Sequence, residues 1–325
     1  MAVYTEVSPE QLSVFLEGYD LGTVLTFKGI AEGVENTNYL LQTDSGHYIV
    51  TLYEKRVHEE DLPFFLGLMN HLASHDLACP TAITARNGQP WGELCGRPAA
   101  IFTFLNGVSV RRPTVSHCTQ LGAALAAMHV AGKAFTGHRD NALSVDHWRE
   151  LLDASRDRAD SIKPGLTAML DAELDVLEAA WPRQLPAGVI HADLFPNNVF
   201  FTEDTFSGMI DFYFACNDLY AYDAAICLNA WCFEPDGSFN VTKSRRLLTA
   251  YHDVRPWQAE EIEALPILAR GASMRFLLTR LYDWLNQVDG AMVKPHDPLE
   301  YLARLQFHQK VTGPQGYGID SGLAA

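Results

Sequence analysis

The sequence predicts an α+β protein of two lobes, in which a small antiparallel β-sheet lobe precedes a larger, mainly helical lobe. Strand-like segments separated by turns dominate the first third of the chain, and helical periodicity replaces them from Pro113 onward. The length of 325 residues also exceeds the usual size of one domain. We expect the lobes at residues 1–105 and 106–310, with a flexible tail at 311–325 because that segment is glycine-rich and lacks periodicity.

The first lobe is predicted to open with a helix whose start is marked by Ser8, Pro9 and Gln11. Ser8 suits the N-cap, Pro9 the first helical position, and Gln11 completes a capping box. Apolar residues recur on one side of a predicted helix at 61–74. Turn signals separate the predicted strands, which lie at residues 23–29, 38–43, 48–53 and 99–104.

The second lobe is predicted to be helical with a few short strands. Helical spacing predicts helices at residues 114–130, 144–162, 166–180, 243–252 and 266–286. Short apolar runs predict strands at residues 188–191, 199–202 and 207–211.

Composition favours a globular protein of a reducing compartment. The net charge of -16 argues against nucleic acid or an anionic membrane as the main partner, although Mg²⁺ would let a local site accept an anionic nucleotide. The six cysteines include no C-x-x-C pair, so we predict reduced thiols. Because the sequence shows neither a secretory signal nor a run of eighteen apolar residues, we expect a cytoplasmic protein with no membrane span.

The most informative motif is a polar loop between two apolar strands, in the run GVIHADLFPNNVFF. His191, Asp193 and Asn198 form the pattern H-x-D-x-x-x-x-N, and thirteen residues later the apolar run MIDFY carries Asp211. Phosphoryl transfer requires a carboxylate near the attacking hydroxyl, and an Asn oxygen with a second carboxylate on Mg²⁺. Taken singly, each residue favours a structural interpretation, in which Asp193 and Asn197–Asn198 cap turns and His191 is a core histidine. Their ordered combination favours phosphoryl transfer.

On these residues the chain resembles the aminoglycoside-phosphotransferase and choline-kinase group, whose fold is similar to that of the eukaryotic protein kinases. Within the group it resembles the bacterial homoserine kinases, most specifically in GMIDFYFACNDLYAYDAAICLNAWCF and RFLLTRLYDWL, and the resemblance extends over residues 3–310. It implies a protein-kinase-like two-lobe fold and ATP-dependent phosphorylation of L-homoserine to O-phospho-L-homoserine in threonine biosynthesis. The implied cofactors are ATP and Mg²⁺.

The resemblance also implies roles for the motif residues. Asp193 matches the catalytic carboxylate, which orients or deprotonates the acceptor hydroxyl, and His191 matches a residue that holds the loop. Asn198 and Asp211 match the Mg²⁺ ligands. Asp223 matches a buried carboxylate that supports the catalytic loop.

The nucleotide site implied by the resemblance lies in the first lobe. Gly33, Asn36 and Thr37 fall at the position of the phosphate loop, where a glycine lets backbone N–H groups approach phosphate oxygens. Adenine is placed by position alone near Thr103 and Leu105.

Two positions depart from the family pattern. Many relatives carry a Lys or Arg in the third strand, paired with a Glu on the following helix, and Thr51 and Phe65 occupy these positions here. Losing both partners avoids an unpaired buried charge. Lys28, Lys55 and Arg56 are candidates for the missing positive charge, with a solvated strand end as the equal alternative for the last two.

The substrate residues are harder to assign. The carboxylate of homoserine calls for an arginine, and its ammonium for a carboxylate or backbone carbonyls. Arg275 and Arg280 are about 140° apart on a helix, so one helical face does not aim both at a pocket, and Arg275 is preferred. Other candidates, each with core packing or helix capping as the alternative, are Tyr213, Asn217, Asp218 and Trp231.

Two rival functions remain open. A related kinase acting on choline, methylthioribose or an aminoglycoside is one, and the net charge of -16 slightly favours a cationic substrate. A nucleotide-binding pseudokinase is the other, motivated by the missing Lys–Glu pair and opposed by the intact Asp193, Asn198 and Asp211.

Overall fold

The computed structural model describes residues 5–30, 36–54, 57–287 and 295–324. The chain forms two compact units, Met1–Gly107 with Ser207–Tyr213, and Val108–Phe206 with Phe214–Ala325. The predicted α+β class, with an antiparallel sheet first and helices after it, is confirmed. The described residues include no helix long and apolar enough to cross a bilayer.

The first unit is built on a five-stranded antiparallel sheet. Its strands are β1 (Val24–Gly29), β2 (Thr37–Thr43), β3 (Gly46–Leu52), β4 (Gly92–Leu94) and β5 (Arg97–Thr103). They lie in the order β1-β2-β3-β5-β4, and Thr51 of β3 is opposite Asn38 of β2 and Ala100 of β5. Burial of alternate residues of β2 matches the side-chain period of a strand with one face on the core.

Two α-helices accompany this sheet. Helix α1 (Pro9–Leu16) has the predicted capping box, with Ser8 accepting from the Gln11 backbone N–H and the Gln11 side chain accepting from the Ser8 N–H. Helix α2 (Leu62–Ala73) follows a 3₁₀ turn (Glu59–Asp61). Its buried residues include the predicted apolar side, which consists of Leu62, Phe65, Leu66, Met69 and Leu72.

The second unit contains most of the helical residues. Its α-helices are α3 (Val115–Gly132), α4 (Trp148–Asp153), α5 (Arg156–Ile162), α6 (Leu166–Ala180), α7 (Tyr220–Trp231), α8 (Val241–Val254), α9 (Ala259–Leu285) and α10 (Pro298–His308). Further 3₁₀ turns occur at Val145–His147, Pro196–Asn198, Phe212–Phe214, Pro314–Tyr317 and Ser321–Ala324.

Short strands frame the polar loop found in the sequence. They are β6 (Val108–Ser109), β7 (Ala187–Ile190), β8 (Val199–Thr202), β9 (Thr205–Met209) and β10 (Cys216–Leu219). Strand β7 pairs antiparallel with β10, while β6, β8 and β9 form a three-stranded sheet in that order. The loop therefore begins at the end of one small sheet and ends at the start of the other, which fixes both of its ends.

Several elements differ from the sequence predictions. The single helix expected at 144–162 is a 3₁₀ turn followed by α4 and α5, and α9 starts at Ala259 and continues through Pro266. Helix α7 was not predicted because almost all of its residues are buried, so it shows no amphipathic period. Helix α10 was also missed, although Asp297 and Pro298 supply a cap and a first-turn proline.

The C-terminal segment is packed, which differs from the flexible tail expected from its glycine content. Tyr317 is fully buried, and its hydroxyl lies 2.9 Å from His308 Nδ1. The Ser244 hydroxyl donates to the Tyr317 carbonyl at 2.8 Å, and Arg245 Nε donates to the Gly318 carbonyl at 2.8 Å. One aromatic anchor thus outweighs the conformational freedom of the surrounding glycines.

Candidate active site

The polar loop between β7 and β8 brings the motif residues of the second unit together. The Asn198 side-chain nitrogen donates to the backbone oxygen of Asp193 at 2.8 Å and to its Oδ2 at 3.2 Å. The Asp193 N–H donates to His191 Nδ1 at 3.3 Å. Ala192 between them has φ +63°, the left-handed conformation that non-glycine residues rarely adopt. This strained turn is held in place by contacts from several helices.

Asp223 of α7 binds the backbone of the loop. Its carboxylate accepts from the backbone N–H groups of His191 at 2.7 Å and Ala192 at 2.9 Å. His129 Nε2 of α3 lies 3.0 Å from the same carboxylate, and His129 Nδ1 lies 2.7 Å from the Tyr251 hydroxyl of α8. The His191, His129 and Asp223 side chains are all fully buried. Asp223 therefore supports the loop, as the resemblance implied, whereas no motif indicated His129 or Tyr251.

The charge state of this network follows from its contacts. Burial acts to raise the pKa of Asp223, but the hydrogen bond and charge of His129, together with His191, hold that pKa below its usual value. Burial lowers the pKa of His129, against the effect of Asp223. We conclude that an ionised carboxylate supports the loop.

Arg275 and Trp231, both predicted as substrate residues, contact the loop in this structure. Arg275 is only 2% exposed, and its Nη1 donates to the Ala192 carbonyl. Its guanidinium lies 4.4 Å from the ring centroid of Phe276. Trp231 is fully buried and donates from Nε1 to the Leu194 carbonyl at 2.7 Å. A buried guanidinium on a loop carbonyl does not favour the predicted role of Arg275 as partner of a substrate carboxylate.

Asn217 and Asp218 on β10 are engaged with the neighbouring segment at 139–141. The Asn217 side-chain oxygen accepts from the Arg139 backbone N–H at 3.0 Å. Asp218 accepts from the Asn141 side chain at 2.6 Å and from the Leu219 N–H at 2.7 Å, and burial raises the pKa of its carboxyl. No side chain caps α7, so the capping alternative is wrong, and the substrate roles of Asn217 and Asp218 stay predictions.

The first unit holds Asp211 and the position of the missing ion pair. Asp211 follows the end of β9 with φ +65°, and the next residues form a 3₁₀ turn. The Tyr213 hydroxyl lies 3.3 Å from that of Tyr53, and the Tyr213 and Phe65 rings meet edge to face at 5.7 Å. Burial raises the pKa of Tyr213, and the charge of Asp211 adds to this effect. Two residues after Asp211, the Tyr213 ring thus packs against the buried rings of Tyr53 and Phe65.

Thr51 occupies the strand position at which relatives carry the basic residue. Its hydroxyl donates to the Asn38 side-chain oxygen at 2.7 Å. Because Thr51 and Phe65 are both uncharged, neither half of the expected ion pair is present at these positions, and no buried charge is left unpaired.

The remaining nucleotide-site candidates direct their side chains into the first unit. The buried Thr37 hydroxyl donates to Glu54 Oε1 at 2.7 Å, and the buried Asn36 side chain accepts from the Glu54 N–H at 3.4 Å. The Thr103 backbone N–H donates to the Thr81 carbonyl, and the Thr103 hydroxyl accepts from the Thr81 N–H at 3.0 Å. Leu105 is half-buried. Gly33, Lys55 and Arg56 lie outside the described residues.

Asn198 and Asp211 have the donor chemistry of Mg²⁺ ligands. Both hydrogen bonds from the Asn198 side chain to Asp193 use the amide nitrogen, so the amide oxygen is oriented away from Asp193. The described residues contain no cluster of three His, Cys, Asp or Glu side chains that would hold a metal alone. Mg²⁺ is usually bound by one or two protein oxygens together with phosphates and water.

Comparison with known proteins identifies the relatives of the chain. A family model described as "Phosphotransferase enzyme family" matches residues 26–257. A homoserine kinase of Rhodospirillum rubrum is 62% identical over 98% of this chain and 99% of its own length. A homoserine kinase of Parvibaculum lavamentivorans is 62% identical over 99% of this chain and 100% of its own length.

Solved structures of lower sequence identity share the fold. An amicoumacin kinase in complex with AMP-PNP and Ca²⁺ has a TM-score of 0.69 at 14% identity, covering 94% of this chain and 95% of that one. A microcompartment-associated aminopropanol kinase has a TM-score of 0.67 at 18% identity, covering 92% of this chain and 93% of that one.

Proposed function

The chain belongs to the homoserine kinases of the phosphotransferase enzyme family, and from this premise we propose how its site works. It transfers the terminal phosphoryl group of ATP to the side-chain hydroxyl of L-homoserine and produces O-phospho-L-homoserine, the precursor used for threonine. One observation carries the proposal for the site. Asp193 is held by Asn198 on a loop whose backbone is tied to Asp223 and Arg275.

Asp193 is the proposed catalytic carboxylate. The acceptor hydroxyl loses its proton as it attacks the γ-phosphorus, and a carboxylate positioned beside it orients the hydroxyl and receives the proton. The hydrogen bond from Asn198 to Oδ2 fixes the side-chain orientation of Asp193. His191 acts as a positioning residue, since its ring nitrogen accepts from the Asp193 N–H.

Asn198 and Asp211 are the proposed Mg²⁺ ligands, through one amide oxygen and one carboxylate. When bound, Mg²⁺ neutralises charge on the β- and γ-phosphates. The left-handed backbone at Asp211 sets the direction of its side chain after β9.

The nucleotide is proposed to contact the backbone of the first unit. Because the Asn36 and Thr37 side chains are turned inward to Glu54, their segment would offer backbone N–H groups to the phosphates. Adenine is assigned to the backbone at Thr103 and Leu105.

A substrate panel tests this function directly. We expect Mg²⁺-dependent ATP consumption with L-homoserine that exceeds consumption with choline, methylthioribose and an aminoglycoside, and phosphorus NMR should identify O-phosphohomoserine. The Asp193→Asn variant serves as the control for contaminating ATPase activity. Faster turnover of another alcohol would overturn the assignment of homoserine as substrate, while the assignment as a kinase would stand. No turnover of any alcohol would favour the pseudokinase.

A further inference from the structure

Arg280, Glu300 and Arg304 form a charged group that joins α9 to α10, named here the α9–α10 cluster. Arg280 Nη1 lies 2.6 Å from Glu300 Oε2, and Arg304 forms an ion pair with the other oxygen, Oε1. Both guanidiniums lie over the ring of Tyr301, at 4.4 Å for Arg280 and 4.5 Å for Arg304. The aromatic face therefore fixes the positions of two cations around one carboxylate.

This cluster has more positive charge than its single carboxylate neutralises. Glu300 is the only carboxylate among the described residues in ion-pair contact with either arginine. A guanidinium has five N–H donors. Among the described residues, Arg280 uses only Nη1 in a hydrogen bond, and Arg304 uses Nη1 on the Asn229 carbonyl and Nη2 on Glu300. Spare donors therefore remain on both side chains.

Solvent reaches the cluster in part. The side chains are 12% exposed for Arg280, 13% for Arg304 and 46% for Glu300. In a chain of net charge -16, such a partly buried pair of arginines is suited to an anionic group of a small ligand. Arg275, by comparison, is almost fully buried and already bonded to the catalytic loop.

A ladder of aromatic rings connects the cluster to the catalytic loop within the second unit. The Tyr301 ring lies 5.2 Å from Phe276, and Phe276 lies 4.9 Å from Phe195, which is two residues beyond Asp193. The pKa of Tyr301 is raised to about 12, chiefly by burial; the charges of Arg304 and Arg280 lower it, and those of Glu300 and Asp193 raise it. Tyr301 is thus within electrostatic reach of both the cluster and the proposed catalytic carboxylate.

We propose that the α9–α10 cluster binds the amino-acid end of the substrate, with the carboxylate on Arg280 and Arg304 and the ammonium on Glu300. The inference rests on the proposed function, because homoserine carries both charged groups at the end opposite its reactive hydroxyl. Two cations beside one anion match that pattern, and they would orient the hydroxyl toward Asp193. The three residues are therefore specificity determinants of the same site.

Two substrate analogues separate the two halves of the recognition. Aminopropanol lacks the carboxylate, and γ-hydroxybutyrate lacks the ammonium. Arg280→Gln and Arg304→Gln should each lower kcat/KM for homoserine about 10- to 100-fold while changing that for aminopropanol little, since a charge-assisted hydrogen bond to the carboxylate is lost. Glu300→Gln should lower kcat/KM for homoserine and leave that for γ-hydroxybutyrate nearly unchanged. The KM for ATP should stay constant in all three variants.

Arg270 provides a matched control on the same helix. It forms a two-point ion pair with Glu173, at 2.8 Å for both contacts, so Arg270→Gln removes an equivalent charge without touching the cluster. In the Arg270→Gln variant, kcat/KM for homoserine divided by kcat/KM for aminopropanol should equal the wild-type ratio. Should the Gln variants fail to fold, Arg280→Lys provides a second test, because it retains the charge and the aliphatic stem. This variant should lower kcat/KM for homoserine more than kcat/KM for aminopropanol.

The possible failures are distinguishable. A wild-type enzyme that does not phosphorylate homoserine overturns the proposed function. If the wild type is active and the arginine variants lose turnover of homoserine and of aminopropanol in equal proportion, the α9–α10 cluster is not the substrate site. The cluster would then serve only to hold α9 against α10.

Discussion

At the scale of single residues, the role of Asp193 can be tested most directly. Asp193→Asn should lower kcat about 10²- to 10⁴-fold, the usual contribution of a positioned general base. The Asn198 contact to the backbone oxygen of residue 193 does not involve the substituted group, so the melting temperature should change little. Steady-state kinetics and calorimetry on the same preparation measure both effects. Near-normal kcat in this variant would remove Asp193 from the mechanism.

Asp211 is suited to a conservative test of the metal assignment. Its φ of +65° is tolerated by Asn better than by most other residues, so Asp211→Asn preserves the backbone while removing the charge. We expect a higher Mg²⁺ concentration at half-maximal activity, because a neutral amide is a weaker ligand for a hard cation. Titration of activity with MgCl₂ at fixed ATP measures it. An unchanged Mg²⁺ dependence would place the metal elsewhere.

At the scale of secondary-structure elements, the catalytic loop is shaped by helices distant in sequence. Asp223 of α7 accepts two loop N–H groups, and His129 of α3 contacts the same carboxylate. Asp223→Asn replaces an acceptor-only group by one that brings its own N–H donors to this buried position. We expect the free energy of unfolding to fall by about 1.5–3 kcal/mol, the range for a hydrogen bond to a charged group. The left-handed turn at Ala192 should relax, and kcat should fall.

Urea unfolding, combined with kinetics at saturating ATP, distinguishes this positioning role from a purely structural one. A structural role predicts lost stability with normal kcat in the folded fraction. A positioning role predicts lower kcat with an unchanged KM for ATP. Full stability in the variant would contradict the support assigned to Asp223.

Elements whose signal is local could be predicted from sequence, and those defined by long-range contacts could not. The α1 capping box and the apolar side of α2 depend on residues within one turn of each other, and both are confirmed. Helix α7 is buried on all sides, so its sequence lacks the period that would reveal it.

The same limit applies to the candidate site. His191, Asp193 and Asn198 were found because one loop carries all three. The partners of the arginines lie elsewhere: Arg275 contacts Ala192, and Arg280 contacts Glu300. Helical spacing alone therefore could not decide which arginine is available for a ligand.

At the scale of the whole molecule, the C-terminal segment contributes to stability through a buried histidine. His308 of α10 is fully buried and contacts the Tyr317 hydroxyl, which anchors the segment beyond α10. Burial, together with the positive charge of Arg304, lowers the pKa of His308 to about 3. The native state thus keeps this imidazole neutral at pH values at which the unfolded chain protonates it.

The sign of the resulting pH dependence follows from proton binding. Between about pH 3 and 6.5 the unfolded state binds one more proton at His308 than the native state, so stability falls as the pH falls through this range. The loss approaches about 1.4 kcal/mol per pH unit below the unfolded pKa. Between about pH 7.5 and 5.5, His308 alone should therefore reduce the free energy of unfolding by about 1.4 kcal/mol.

His308→Gln isolates this contribution, since glutamine retains a polar contact for Tyr317 and does not titrate. The wild type should lose more stability than the variant between those two pH values, by about 1.4 kcal/mol, in urea unfolding at constant ionic strength. The buried histidines of the loop network, His129 and His191, are present in both proteins and cancel in the difference. Parallel pH profiles would mean that His308 titrates normally in the native protein. The buried packing of α10 against the C-terminal segment would then not control the acid stability of the chain.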